Sequence, residues 1–253
     1  MASSSFRFAV PSFALAAAAF VAMTPLGACS SDPGATDGGV TPTDGGSTGD
    51  TSTINDTGTS PVPDATPELR MDPAASFTGF DGTRVFKVPF AVYGAGPDTK
   101  LTASDPTAVD IVAAALENPQ GDDGRYFLVT AKKAGTFTIS AEVGGKKVSS
   151  TLTVTSYAPT RYTAGDTRYK SGYAPKSEPA CTTCHAGAAG VDHSPASLAS
   201  VSDEDVAVII STGILNGQPI MIPGGVKHQW TTTPTEMDGL VTFLRALPPK
   251  GFK

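Results

Sequence analysis

The chain has 253 residues, a formal net charge of −6, and 40% hydrophobic against 17% charged residues. That balance is too apolar for a wholly disordered protein, and the length suits one large domain or two small ones. Acidic residues outnumber basic ones 24 to 18, so there is no cationic surplus to hold a phosphate backbone and nucleic acid is excluded as a partner. Three cysteines are too few for the disulfide-dense framework of a small secreted domain.

Residues 1–28 contain a short n-region with Arg7 and then an apolar run from Phe13 to Met23, too short to span a bilayer. They read as an export signal. The run ends in Leu26-Gly27-Ala28-Cys29, which resembles the lipobox of bacterial lipoproteins. That resemblance implies cleavage before Cys29 and lipidation of its thiol and amine. Acyl chains anchor through about 0.8 kcal/mol per buried methylene. Ser30, where Asp would signal retention, resembles the outer-membrane-sorted pattern, so an extracytoplasmic, lipid-anchored location is expected, with the outer membrane favoured over the inner.

All of the net acidity lies in residues 29–68, which carry six Asp and Glu68 with no Lys or Arg. Gly, Pro, Ser, Thr and Asp make up 32 of these 40 residues, leaving too little apolar surface to offset the entropy of ordering. This segment is expected to be a disordered tether with a span of about 35 Å.

Residues 69–157 switch to strand periodicity. Phe86, Val88, Phe90 and Val92 share one face, with Lys87 and Pro89 opposite; Tyr126–Thr130 is a second β-rich run. Phe137, Ile139, Ala141 and Val143 alternate with polar residues, and Gly144-Gly145 turns the chain into Val148–Thr155. Short strands at this spacing predict an antiparallel β-sandwich. The run from Lys133 through Val154 resembles the last strands of bacterial immunoglobulin-like domains, a resemblance that implies a spacer or partner-binding module.

Residues 158–253 carry the chemistry. Cys181-Thr182-Thr183-Cys184-His185 is a CxxCH motif, the attachment signature of haem c. Two thiols three residues apart match the two vinyl groups of one porphyrin edge, and the adjacent imidazole suits the proximal side of the iron. A zinc half-site would need two more ligands nearby, and the exported domain holds no further Cys; a redox dithiol would need a βαβ context that is absent.

The surroundings resemble the small class I cytochrome c family. Thr233-Pro234-Thr235-Glu236 is a capping box with Pro at the first helical position, and Met237, Leu240, Val241, Leu244 and Leu247 form one apolar stripe before Pro248-Pro249. This resembles that family's C-terminal helix. Gly165 and Tyr169 match the small residue and aromatic of its N-terminal helix, where two helices cross closely. A middle helix is expected from Ser202 to Gly213, Pro195 resembles the residue that orients the proximal imidazole, and residues 171–180 are read as an inserted loop. The sixth iron ligand is expected to be Met221, with His228 the alternative; His193 reads as a solvated loop residue, Met237 as core, and Trp230 as either a haem contact or a loop anchor.

The expected fold is therefore multidomain: an antiparallel immunoglobulin-like β-sandwich followed by a small all-α cytochrome c domain. The resemblance implies a monohaem electron carrier, anchored through lipid and exchanging single electrons with redox protein partners. The competing readings are a haem enzyme or sensor with an open distal site, and an immunoglobulin-like partner-binding protein in which haem is secondary. On the carrier reading Cys29 goes to lipid and Cys181 and Cys184 to haem, leaving no cysteine for a disulfide.

Overall fold

The computed structural model of the protein describes residues 68–186, 192–220 and 227–253. The export signal, Cys29, all but the last residue of the tether, and Met221 lie outside the described residues. Eight strands come first: β1 (Arg70–Asp72), β2 (Ala75–Phe80), β3 (Lys87–Tyr93), β4 (Leu101–Ala103), β5 (Val109–Ala114), β6 (Arg125–Ala131), β7 (Gly135–Val143) and β8 (Lys146–Ser156). They build two four-stranded sheets, ordered β1-β3-β6-β5 and β2-β8-β7-β4. The alternating apolar residues of β3 and β6 (Val88, Phe90, Phe127, Val129) share a core with Phe137, Ile139 and Leu152 of β7 and β8. The β7–β8 register closes at Val143 opposite Lys146, and Gly144 and Gly145 both have positive φ, 56° and 77°, which a two-residue hairpin turn demands.

After β8 come α1 (Arg161–Ser171), α2 (Thr182–His185), α3 (Pro195–Leu198), α4 (Asp203–Thr212), the short pair β9 (Ile214–Leu215) and β10 (Gln218–Pro219), and α5 (Pro234–Arg245). Thr233 and Glu236 cap α5 reciprocally: Glu236 N donates to Thr233 Oγ1 at 3.2 Å and Thr233 N donates to Glu236 Oε2 at 2.8 Å, satisfying two orphan donors of the first turn. Its buried face presents Leu240, Val241, Phe243 and Leu244. α1 crosses α5 where Gly165 meets Gly239; a Cβ at Gly165 would lie 1.9 Å from the Gly239 carbonyl oxygen.

The expected fold class is overturned. Among the described residues strand outweighs helix, 35% against 25%, and the chain is not a sandwich followed by a small all-α cytochrome domain. The sandwich is not purely antiparallel, because β2 runs parallel to β8. The region after residue 158 contains a strand pair of its own, β9–β10. Its last residues return to the sandwich: Lys253 N donates to Ala115 O at 2.9 Å and Ala115 N to Lys253 O at 3.2 Å.

The face of β3 read from sequence as outward is also covered. Pro89 and Ala91 are buried along with Val88 and Phe90, and the cleft above them is lined by Ala196, Ala199 and Phe252. Ala199 joins the sandwich core, and its carbonyl accepts from Phe77 N at 2.8 Å. Arg245, 1% exposed, donates to Asp203 at 2.9 Å and to Leu198 O at 2.7 Å. Asp203 in turn accepts from Tyr157, just past β8, at 2.6 Å. These contacts seat the helical region on the sandwich.

Asp81 organises the turn before β3 that meets α1. Its carboxylate accepts from Thr83 N at 2.8 Å and Arg84 N at 2.7 Å and pairs with Arg84 Nη1 at 2.6 Å, and that guanidinium also reaches Pro159 O at 3.1 Å. Burial pushes the carboxyl up, but the hydrogen bonds from Arg84 and Thr83 outweigh it, so its pKa lies below the ordinary 3.8. A depressed folded-state pKa contributes stability above 3.8 that is lost as pH falls below that value. Asp81→Asn is expected to cost about 1–3 kcal/mol at pH 7. In urea unfolding its deficit against wild type should narrow below pH 3.8; a deficit independent of pH would show that the charge is not what matters.

Candidate functional site

The three histidines of the chain meet at one pocket. It is lined by Tyr169 from α1, Cys181 and His185 at α2, Ile210 from α4, Trp230, and Leu240 and Leu244 from α5, together with His193 and His228. Cys181 precedes the single turn of α2, and His185 N closes that turn on Cys181 O at 3.1 Å. One helical turn therefore carries both cysteines of the motif and its imidazole, because residues three and four apart share a helix face. The ring of His193 stacks on that of His185, with centroids 3.6 Å apart and planes inclined by 29°. His228 stands perpendicular to His185 at 6.3 Å, and Trp230 packs edge-on against His228 at 4.5 Å.

His193 departs from the reading of a solvated loop residue. Its Nδ1 lies 3.3 Å from Tyr169 Oη, and the backbone beyond it is fixed by Asp192, which accepts from Ser194 N at 2.9 Å and Ser194 Oγ at 2.6 Å. Burial first, then the neighbouring His185 and His228, lowers its pKa to about 3. Burial, followed by His185, also lowers that of His228. Both rings are thus neutral at pH 7, the form in which imidazole binds a metal. Nδ1 of His228 is buried and makes no hydrogen bond.

Cys181 carries a free thiol, and burial raises its pKa to about 11 despite the opposing influence of Arg168. Cys184 is disulfide-bonded, against the expectation that no cysteine is left for a disulfide; a thioether there requires that bond to be reduced first. Pro195 opens α3 and is buried. Trp230 is 8% exposed and donates its indole N–H to Pro179 O at 3.0 Å, an anchoring role. Met237 is partly buried and packs against the helical core, whereas Met221 and Cys29 lie outside the described residues.

Around this pocket runs a polar frame that the sequence did not signal. Arg168 of α1, 5% exposed, pairs with Glu178 and donates to Thr231 O at 3.1 Å. Glu178 Oε1 accepts from Thr231 N at 2.9 Å. Burial pushes the Glu178 carboxyl up, but hydrogen bonds from Thr231 and Arg168 bring it below the ordinary carboxylate value.

The donor set suits a covalently bound haem once the Cys184 disulfide is opened: two cysteines on one turn, an adjacent imidazole, further neutral imidazoles and apolar walls, with one buried ring nitrogen left unsatisfied. The cavity itself is about 30 Å³. Among the described residues, no group of three or more His, Cys, Asp or Glu is disposed to hold a bare metal ion, and no helix is long and apolar enough to cross a membrane.

No family model matches the chain, and no curated protein matches it. A solved structure of domains 5–6 of the S-layer protein SbsC is similar over 35% of this chain and 44% of that one, at 18% identity and a TM-score of 0.26. The chain spans less than half the length of that structure, and the likeness is too slight to bear on fold or function.

Proposed function

We propose that the protein is an extracytoplasmic, lipid-anchored monohaem electron carrier. The observation that supports this most is the CxxCH turn opening onto an apolar pocket that also gathers His193 and His228. Cys181 and Cys184 would hold the porphyrin edge and His185 the proximal side of the iron, with the sixth position supplied by the 221–228 stretch, through Met221 or His228. When bound, the haem supplies a ferrous/ferric couple that moves one electron at a time between redox protein partners. The chain's own contribution is to exclude water and fix the axial ligands: Leu240, Leu244, Ile210 and Trp230 form a dry wall, and Tyr169 holds His193 beside His185.

Lipid on Cys29 and the tether of residues 29–68 would keep this site at a bacterial membrane while letting it range over tens of ångströms. The test is a spectroelectrochemical titration of protein produced with a cytochrome c maturation system. One electron per chain, taken up reversibly at a haem that acidified acetone cannot extract, is the expected result. A colourless protein, or an extractable haem, would overturn the reading.

A further inference from the structure

We infer, on the basis of that reading, that His228 rather than Met221 is the sixth ligand, and that the Arg168–Glu178 pair is the positioning device that holds it over the CxxCH turn. The segment carrying His228 is fastened on two sides. Toward α4, Gly213 adopts φ 68° and lies so close to the His228 carbonyl that a Cβ there would come within 2.2 Å of it, while Trp230 N donates to Ile210 O at 3.0 Å. Toward the CxxCH turn, Thr231 exchanges hydrogen bonds with both partners of the Arg168–Glu178 pair, Trp230 Nε1 donates to Pro179 O at 3.0 Å, and Lys176 Nζ donates to Thr231 Oγ1 at 3.1 Å.

Glu178 and Pro179 stand three and two residues before Cys181, and Trp230 and Thr231 stand two and three residues after His228. The clasp therefore joins the approach to one ligand site to the exit from the other, and α1 anchors both through Arg168. The loop it closes is itself tight: Tyr173 N donates to Glu178 O at 2.9 Å and Glu178 N to Tyr173 O at 3.2 Å. His228 keeps a buried Nδ1 that makes no hydrogen bond, as a ring awaiting a ligand would. Ser171, expected in a loop, closes α1, and Ala174–Lys176 forms a 3-10 turn; the stretch that follows supplies the acidic arm of the clasp, Glu178.

The test compares loaded wild type with His228→Ala, Met221→Ala, Glu178→Ala and Glu178→Gln, reading the ferric absorption and paramagnetic resonance spectra, carbon monoxide binding to the reduced form, and thermal unfolding. Wild type should show a low-spin spectrum without the weak red band of sulfur-ligated ferric haem. His228→Ala should become high-spin and Met221→Ala should stay unchanged. Glu178→Ala, which removes a charge-assisted bond and the acceptor for Thr231 N, should bind carbon monoxide about tenfold faster or more. Glu178→Gln keeps that acceptor and should recover most of the wild-type rate.

A Glu178→Ala protein that melts earlier but keeps the wild-type spectrum and carbon monoxide rate would show that the clasp is structural only. Loss of low-spin character in Met221→Ala but not in His228→Ala would assign the ligand to Met221. Either result overturns the inference while leaving the haem reading intact. A protein that never acquires haem would instead remove the reading itself.

Discussion

Replacing Cys181 and Cys184 together by alanine is expected to give an exported, folded chain that carries no covalently bound haem. Thioethers at those two sulfurs are what would make the cofactor irremovable, and no other described residue offers a thiol. Each single variant should retain one thioether and fall to a small fraction of the wild-type yield, because one link leaves the porphyrin edge only half fixed. Of the two, only Cys181 lines the pocket, and replacing Cys184 also removes its disulfide. Circular dichroism of the double variant should match that of haem-free wild type whose disulfide has been reduced. Wild-type levels of covalent haem in the double variant would show that attachment does not use this motif.

The second large effect is structural and reaches the site through α1. A Cβ on Gly165 would sit 1.9 Å from the Gly239 carbonyl oxygen and 2.7 Å from Leu240 N, and a Cβ on Gly239 would sit 2.6 Å from Gly165 N. Both obstacles are backbone, which cannot swing aside as a side chain can. Gly165→Ala should therefore force α1 and α5 apart and cost about 3 kcal/mol or more, at the upper end of overpacking penalties. Arg168 and Tyr169 lie one turn further along α1, so the same variant should loosen the clasp on Glu178 and the contact with His193. Gly96→Ala is the control: nothing lies within 4 Å of the added carbon there, and its unfolding midpoint should match wild type. A Gly165→Ala protein as stable as wild type would refute the close crossing.

How much of this was legible in the sequence depends on how local each signal is. β7, β8 and their hairpin are readable because alternation and Gly144-Gly145 act over adjacent residues. α5 is readable because its capping box, its first-turn proline and its apolar stripe all agree. β2 is not: it buries Ser76 and Thr78, whose hydroxyls make no hydrogen bond, and it pairs in parallel with residues 76 positions further along, Ala75 with Thr151. Nothing near Ala75 announces that partner.

The fold class failed for a related reason. The return of Lys253 to Ala115 and the seating of Ala199 in the sandwich core are long-range, and they give Pro89 and Ala91 a cover that strand periodicity alone treats as solvent. The helical stretch was read as self-contained because its caps and stripes are self-contained; its docking is not written locally.

In the site, the CxxCH turn is legible because its ligands are consecutive. His193 was not, since Asp192-His193-Ser194 looks like any polar turn; Tyr169, twenty-four residues earlier, is what meets it. Arg168 and Glu178 sit in a hydrophilic stretch, and only the arrival of Thr231 turns them into a buried frame. Polar pairs of this kind leave no periodic trace, which is why they emerge from the fold and not from the pattern.

The central claim rests on what the two motif sulfurs are bonded to, and intact-mass measurement with peptide mapping reads this directly. Protein exported alongside a haem-attachment system should weigh one haem more than the same protein exported without one, with thioethers mapped to both Cys181 and Cys184. A chain without added mass, in which Cys184 remains in a disulfide and Cys181 a free thiol, would contradict the account.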